Sequence, residues 1–355
     1  MNHVLIVLPN DSLGGAEQVL KMIAQNFKNS KVEIRFLKQK QSKDWNTIPS
    51  HVQLSYQDVS SEFVGMLFFV LSFFFKPARK YDYVFTSHVF VTGMIGVLIR
   101  LGFIKKKYFV GRESTQIFDR FSGLKLFLYK KMYQFGYPCI DLLICQTDQM
   151  RLSLLKNLPW IDKKILVKVI PNPIDLSQIN VTDIDTQSPF LVSAGRLIPE
   201  KGFDILIEAF KDFIKKYPTY QLIILGEGKE RLNLENQIRN LKLERKVILK
   251  GQVSNVYSYF KKADLCVVSS RIEGFPNVLL QMMSQNDKVV TTRCAGDLDK
   301  IAGVYLADTS DSKSLSYAMQ DALCSNTLAN KLLFETFLNE RSINIFLQKV
   351  EKELS

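Results

Sequence analysis

Two cations five positions apart, Arg196 and Lys201, stand in the stretch Gly195-Arg196-Leu-Ile-Pro-Glu-Lys201-Gly202, between an apolar run at 190–194 and a helical pattern from 203 to 217. A guanidinium and an ammonium at that spacing, on a strand-to-helix loop, suit the two sides of a diphosphate. Plain surface charge is the simpler reading. It is weakened because cations at a helix start oppose the dipole, and an anion between them relieves that conflict. A second stretch, 264–285, has the same strand-loop-helix grammar. Leu265 to Val268 reads as a strand buried on both faces, and Ser269, Ser270, Arg271, Glu273, Gly274 and Pro276 make a polar loop. Asn277 is the expected N-cap of a buried helix over 278–284, whose first amides would face an anion. The carboxylate of Glu273 suits sugar hydroxyls or a positive centre better than it suits a phosphate. A third loop, Pro9 to Gly15, ends in Gly14-Gly15 before a helix, where backbone amides can approach a ligand closely.

Stepping from side chains to the elements that carry them, strands alternate with helices in both halves of the chain. That pattern predicts an α/β fold with two doubly wound parallel sheets, each binding ligands at the carboxyl ends of its strands. The 355 residues suit two domains. Pro171-Asn172-Pro173-Ile174-Asp175 and the polar stretch 177–188 mark the boundary. The expected division is 1–176, 177–335 and a terminal helical segment 336–355 that returns to the first domain.

Composition bounds the partners. The net charge of +12 calls for an anionic one, whether a phosphorylated substrate, acidic lipid or nucleic acid. The five cysteines lack close pairing and read as core thiols of a reducing compartment. Met1 to Pro9 reads as a first buried strand and not as a leader. No Asp-x-Asp sequence suits a metal, and none is expected.

The loops resemble those of family 4 retaining glycosyltransferases of the GT-B type. The carriers are Gly14-Gly15-Ala16-Glu17, the Gly195-Arg196-Leu…Lys201-Gly202 stretch, Glu273-Gly274-Phe275-Pro276 and the Pro-Asn-Pro-Ile-Asp boundary. The family has a second Glu where this chain has Gln281. The resemblance implies two Rossmann-like domains facing across a cleft, the second binding a nucleotide-sugar and the first an acceptor. It implies Arg196 and Lys201 on the donor's pyrophosphate, Glu273 on sugar hydroxyls, and Gln281 at the ribose. Gly251 and Gln252 would lie against the base, with Gly14, Gly15, Phe275, Pro276, Asn277, Val278 and Leu279 completing the donor site. The expected reaction moves a sugar, from a UDP-linked donor, to a hydroxyl of a saccharide or polyprenyl-diphosphate-linked acceptor in surface polysaccharide biosynthesis, as in lipopolysaccharide assembly. Rival readings are a nucleotide-sugar epimerase and a basic membrane- or nucleic-acid-binding protein without chemistry.

The acceptor side rests on residues at strand ends. His88 follows one strand, and Arg112-Glu113 follow another. Arg112 suits an acceptor phosphate; Glu113 would act on the acceptor hydroxyl or pair with Arg112. The nearly all-apolar run 62–76 is followed by Lys76, Arg79 and Lys80. It is too short to span a bilayer and reads either as a buried helix or as an interfacial one, the latter slightly favoured. The Lys105-Lys106-Lys107 run, read as a loop before a strand at 108–110, and the basic aromatic stretch 118–136 extend that reading. Peripheral contact with an anionic membrane through 62–80 and 105–135 is therefore expected, on the cytoplasmic face of the cell membrane. No nucleic-acid motif accompanies these residues.

Overall fold

A computed structural model describes residues 2–74, 78–184 and 189–355. Lys76 of the apolar run's basic flank, and 185–188 of the boundary stretch, lie outside the described residues. The chain forms two compact units, residues 1–173 with 343–355, and residues 174–342.

The first unit runs β1 (Asn2–Leu8), α1 (Gly15–Asn26), β2 (Ser30–Phe36), β3 (Val52–Tyr56), α2 (Glu62–Phe74), β4 (Arg79–Thr86), α3 (Val89–Arg100), β5 (Ile104–Arg112), α4 (Ile117–Arg120), α5 (Gly123–Gly136), β6 (Leu142–Cys145), α6 (Asp148–Asn157) and β7 (Leu166–Val169). The second runs β8 (Phe190–Ala194), α7 (Phe203–Lys216), β9 (Gln221–Leu225), α8 (Arg231–Asn240), β10 (Val247–Gly251), α9 (Val256–Lys262), β11 (Leu265–Val268), α10 (Asn277–Met283), β12 (Val289–Thr292), β13 (Tyr305–Ala307), α11 (Ser312–Cys324) and α12 (Asn330–Asn339). The chain then closes with α13 (Ile343–Leu354), which belongs to the first unit.

Both sheets are parallel. Their orders are β3-β2-β1-β4-β5-β6-β7 and β10-β9-β8-β11-β12-β13. The strands are short apolar runs because helices cover both faces. In the first unit α2, α3, α5 and α6 pack on one face, and α1 and α13 on the other. In the second, α7, α8 and α11 cover one face and α9, α10 and α12 the other. Each sheet reverses its winding once, between β1 and β4 and between β8 and β11. The loops leaving those two strands diverge to opposite faces, which opens a crevice at the carboxyl ends.

Two local expectations change. The Lys105-Lys106-Lys107 run lies within β5, not in a loop before it: β5 starts at Ile104, in register with Arg79 of β4. The sheet extends past its helical cover there, so lysines at 105 and 107 stand in solvent while Lys106 bonds Asp141. The cap of α10 falls on Pro276, and Asn277 is its first helical residue. Pro suits the start of a helix because its missing N–H has no intrahelical role there.

Candidate active site

In the second unit, three loops meet at the reversal between β8 and β11. The loop after β8 carries Arg196, a short 3-10 turn over Pro199–Lys201, and Gly202 at φ 63°. A Cβ on Gly202 would stand 2.2 Å from the Ser269 carbonyl oxygen, so the loop after β11 can press against this one only because position 202 has no side chain. Further bonds hold the two loops in place. The Ser269 hydroxyl donates to the Lys201 carbonyl (2.9 Å), and the Arg271 amide donates to the Glu200 carbonyl (2.7 Å). The Arg271 guanidinium reaches the Pro199 carbonyl (2.7 Å) and both oxygens of Asp204 (2.8 and 2.5 Å), a fork-to-fork pair. That contact holds the Asp204 carboxyl below its usual range despite partial burial.

The result is a direct ion pair between Lys201 Nζ and Glu273 Oε1. The same carboxylate oxygen accepts from the Ser270 hydroxyl (2.8 Å). The Glu273 amide donates to the Cys294 carbonyl (2.8 Å), and Thr292 Oγ1 donates to the Ser270 carbonyl (2.5 Å), which ties in the loop after β12. Burial, reinforced by the negative charge of Glu273, pushes the Cys294 thiol up to about 12 and keeps it neutral. Arg196 is exposed on the same loop as Lys201. A lysine and a carboxylate, both about one-fifth exposed, thus stand where open α/β sheets bind ligands.

Other residues expected at this site are placed as follows. Phe275 is buried, with the Arg341 guanidinium 5.3 Å from its ring. Pro276, Asn277, Val278 and Leu279 form the start of α10, with Leu279 in the core. Gln281 sits one helical turn on, and the Tyr257 phenol nearby has its pKa raised by burial, an effect that Gln281 partly offsets. Gly251 ends β10 at φ 82° and accepts at its carbonyl from the Gly226 amide (2.8 Å), with Gln252 exposed after it. Ser270, Arg271 and the carbonyl of Cys294 are functional neighbours that spacing alone did not single out. Ser270 and Arg271 lie within the loop read as polar, but nothing in a sequence says which hydroxyl meets which acid.

The first unit has its own cluster at the reversal between β1 and β4. Gly14 precedes α1, and a Cβ there would meet Glu17 Oε2 at 2.7 Å; Gly15 is the first helical residue. Buried Glu17 bonds His88 Nε2 at 3.1 Å, and its negative charge partly offsets the burial that lowers Arg112 to about 10. Arg112 is fully buried. It donates to the Ser87 hydroxyl (3.1 Å) and to Asn172 Oδ1 (2.5 Å). Its Nε, like His88 Nδ1, is buried without a hydrogen-bond partner among the described residues. Glu113 is not in this cluster. Adjacent strand residues point to opposite faces, and Glu113 accepts from Tyr133 (2.7 Å) and Tyr137 (3.2 Å) on α5 and the turn after it. Burial raises its carboxyl to about 7, against the opposing effect of the two phenols.

Residues 176–332 match the family model described as glycosyl transferases group 1. The second unit belongs to that family. Curated relatives match as well. An uncharacterised glycosyltransferase of Methanocaldococcus jannaschii is 29% identical over 235 residues, covering 62% of this chain and 56% of that protein. The N-acetylgalactosamine-N,N'-diacetylbacillosaminyl-diphospho-undecaprenol 4-alpha-N-acetylgalactosaminyltransferase of Campylobacter jejuni is 33% identical over 159 residues, covering 44% of this chain and 42% of that protein. The chain thus spans about half the length of these relatives. Anabaena HepE, solved in complex with UDP-glucose, matches over 100% of this chain and 99% of its own with a TM-score of 0.80 at 17% identity. Two parallel-sheet α/β domains of this kind are the GT-B fold.

Proposed function

We propose that the protein transfers a sugar from a nucleotide-sugar to an acceptor hydroxyl, with retention of configuration. The observation that carries this reading is the Lys201–Glu273 pair at the strand-order reversal of the glycosyltransferase unit. Breaking the bond between sugar and nucleotide leaves growing negative charge on the diphosphate. Arg196 and Lys201 stabilise that charge, and the loop that carries them is held in advance by the bonds around Gly202 and Arg271. Glu273, joined to Ser270 and Lys201, orients sugar hydroxyls and holds the ammonium in place. Gln281 meets the ribose by hydrogen bonding alone. The residues suffice for leaving-group stabilisation without a metal, and no group of three or more His, Cys, Asp and Glu side chains able to hold one occurs among the described residues.

The donor is a UDP-sugar and the acceptor a saccharide carried on a polyprenyl diphosphate. Solved neighbours in complex with UDP and UDP-glucose support the first, and the diphospho-undecaprenol in the Campylobacter relative's name supports the second. The cluster of Glu17, His88 and Arg112 is the acceptor side of this reading. Glu113, turned into the helical layer, takes no part in it. The protein works at the cytoplasmic face of the cell membrane, where both substrates meet.

The test has two parts. A panel of nucleotide-sugars is screened for a rise in melting temperature, since a true donor stabilises the folded state by mass action. Release of nucleoside diphosphate is then followed with and without lipid-linked saccharide. Transfer requires release that depends on acceptor. Lys201→Ala should lower kcat about 100-fold or more with a smaller change in KM. Sugar isomerisation without acceptor would instead make the protein an epimerase, and the absence of any stabilising nucleotide-sugar would remove the reading altogether.

A further inference from the structure

The first unit exposes an apolar surface that sugar transfer does not use. Helices α2, α3 and α5 lie side by side on one face of the seven-stranded sheet, with α3 touching both others. Their inner residues, such as Phe69, Ile95 and Tyr133, are core. Their outer sides carry large apolar residues as well as cations. α2 turns Phe63, Leu67 and Leu71 outward at four-residue steps, with Phe63 79% exposed. α5 does the same with Leu124, Phe127 and Leu128, Leu124 being 74% exposed. Single exposed apolar side chains are ordinary on any protein; two stripes of them on helices that both touch α3 are not. α3 approaches α5 closely at Gly96, where a Cβ would stand 1.9 Å from the Gly136 carbonyl.

Charge on this layer is positive apart from Glu62 at the start of α2. Residues 63–74, 89–100 and 123–136 contain no Asp or Glu, while Arg100, Lys125, Lys130 and Lys131 lie on α3 and α5. Lys80, Lys105 and Lys107 stand in solvent where β4 and β5 begin, next in the chain after α2 and α3. Glu62 and Asp119 sit outside those segments, at the start of α2 and in α4. Lys125 Nζ lies 4.2 Å from the ring centre of Phe121, and Lys131 Nζ 5.3 Å from that of Phe127. A cation held over a ring whose other side is apolar matches the depth at which headgroup phosphates meet acyl chains.

We propose that the outer face of α2, α3 and α5 docks on an anionic lipid bilayer, with phenylalanines and leucines entering the headgroup boundary and the lysines meeting lipid phosphates. The chemistry selects this occupant. A second copy of the chain would set lysine against lysine, whereas an anionic bilayer answers the charge and covers the rings together. No helix among the described residues is long and apolar enough to cross a membrane, so the contact is peripheral. This inference is independent of the transfer reading.

The experiment sediments the full chain with vesicles of phosphatidylcholine alone or of equimolar phosphatidylcholine and phosphatidylglycerol. The expected result is co-sedimentation with the anionic vesicles, weakened by salt. A Phe63→Glu, Leu67→Glu, Phe127→Glu variant should bind at least about tenfold more weakly. A Lys125→Glu, Lys130→Glu, Lys131→Glu variant should lose the preference for anionic lipid. Leu328→Glu, at an 85% exposed leucine of the second unit, should bind like the parent. All replaced side chains are at the surface, and unchanged melting temperatures establish that the variants fold. A parent chain that stays in the supernatant, variants that bind as tightly as the parent, or a dimer dissolved by the first variant would each overturn the proposal.

Discussion

At the scale of the residue, Glu113 shows what a sequence leaves unsaid. Arg112 and Glu113 are neighbours in the chain and read as partners, yet the pleat of β5 sends one to the crevice and the other into the helical layer, against Tyr133 and Tyr137. Those phenols lie on an element twenty residues away in the chain, and no local pattern links them to the acid. Burial raises the Glu113 carboxyl to about 7, so the folded state holds a proton there that the unfolded state releases near the ordinary carboxylate range. The stabilisation is therefore complete below that ordinary range and is lost as pH rises through about 7. Melting temperature should fall between about pH 5 and about pH 8, and Glu113→Gln, which keeps the acceptor oxygen without the proton, should flatten that fall. An equally steep fall in the variant would assign the pH dependence elsewhere. Lys201 and Glu273 were more legible. Their loops carry unusual residue types at fixed spacing, and the structure joins them, although Ser270 and the Cys294 carbonyl that complete the contact come from backbone geometry. Gln281→Glu isolates one more residue. It adds a charge beside the Tyr257 hydroxyl, and donor affinity measured by calorimetry should change by about tenfold if position 281 meets the ribose. Identical affinity would remove Gln281 from the donor site.

At the scale of the element, the two loops leaving β8 and β11 act as a single piece. Gly202 permits their contact through its left-handed backbone and its lack of a side chain. Gly202→Ala should cost about 1–3 kcal/mol in a urea melt, since it combines strain with a clash against backbone. Arg271→Ala should behave differently. Its pair with Asp204 is half in solvent and worth about 1 kcal/mol or less to stability. The loop that presents Lys201 would nonetheless lose its outer brace, and kcat should drop about tenfold with little change in the melt. A large stability loss with normal turnover would reverse that assignment. Strands and helices themselves were readable, because buried parallel strands are short apolar runs and the helices between them carry one apolar face. The exceptions are instructive. The lysines that open β5 looked like a loop because a strand reaching beyond its helical cover needs no apolar alternation. The run at 62–74 read as either buried or interfacial, and α2 has both a core side at Phe69 and Phe73 and an exposed side at Phe63 and Leu67.

At the scale of the molecule, the chain leaves its first unit at Pro173 and returns at Ile343. The exit is marked in the sequence by Pro171 and Pro173, which stop regular structure. The return has no comparable residue, since Ser342 and Ile343 resemble many helix starts, and only packing decides where α13 belongs. The second unit has its own sheet, two faces of core and the whole of the Lys201–Glu273 site. Residues 174–342 produced alone should therefore fold cooperatively, and should gain thermal stability from a nucleotide-sugar that also stabilises the full chain. Failure to fold would mean that its core depends on the remainder of the chain.

One detail of that unit reaches further. The Ile174 amide donates to the Arg341 carbonyl at 2.9 Å, and Ile174 pairs with Ser342 in a parallel bridge. A module whose first and last residues are already stitched together can be swapped as a cassette between relatives, or opened at a distant surface loop and re-sewn at its natural ends, without redrawing any strand. Recombination during evolution has the same freedom, which lets new first units be tried against an unchanged second unit.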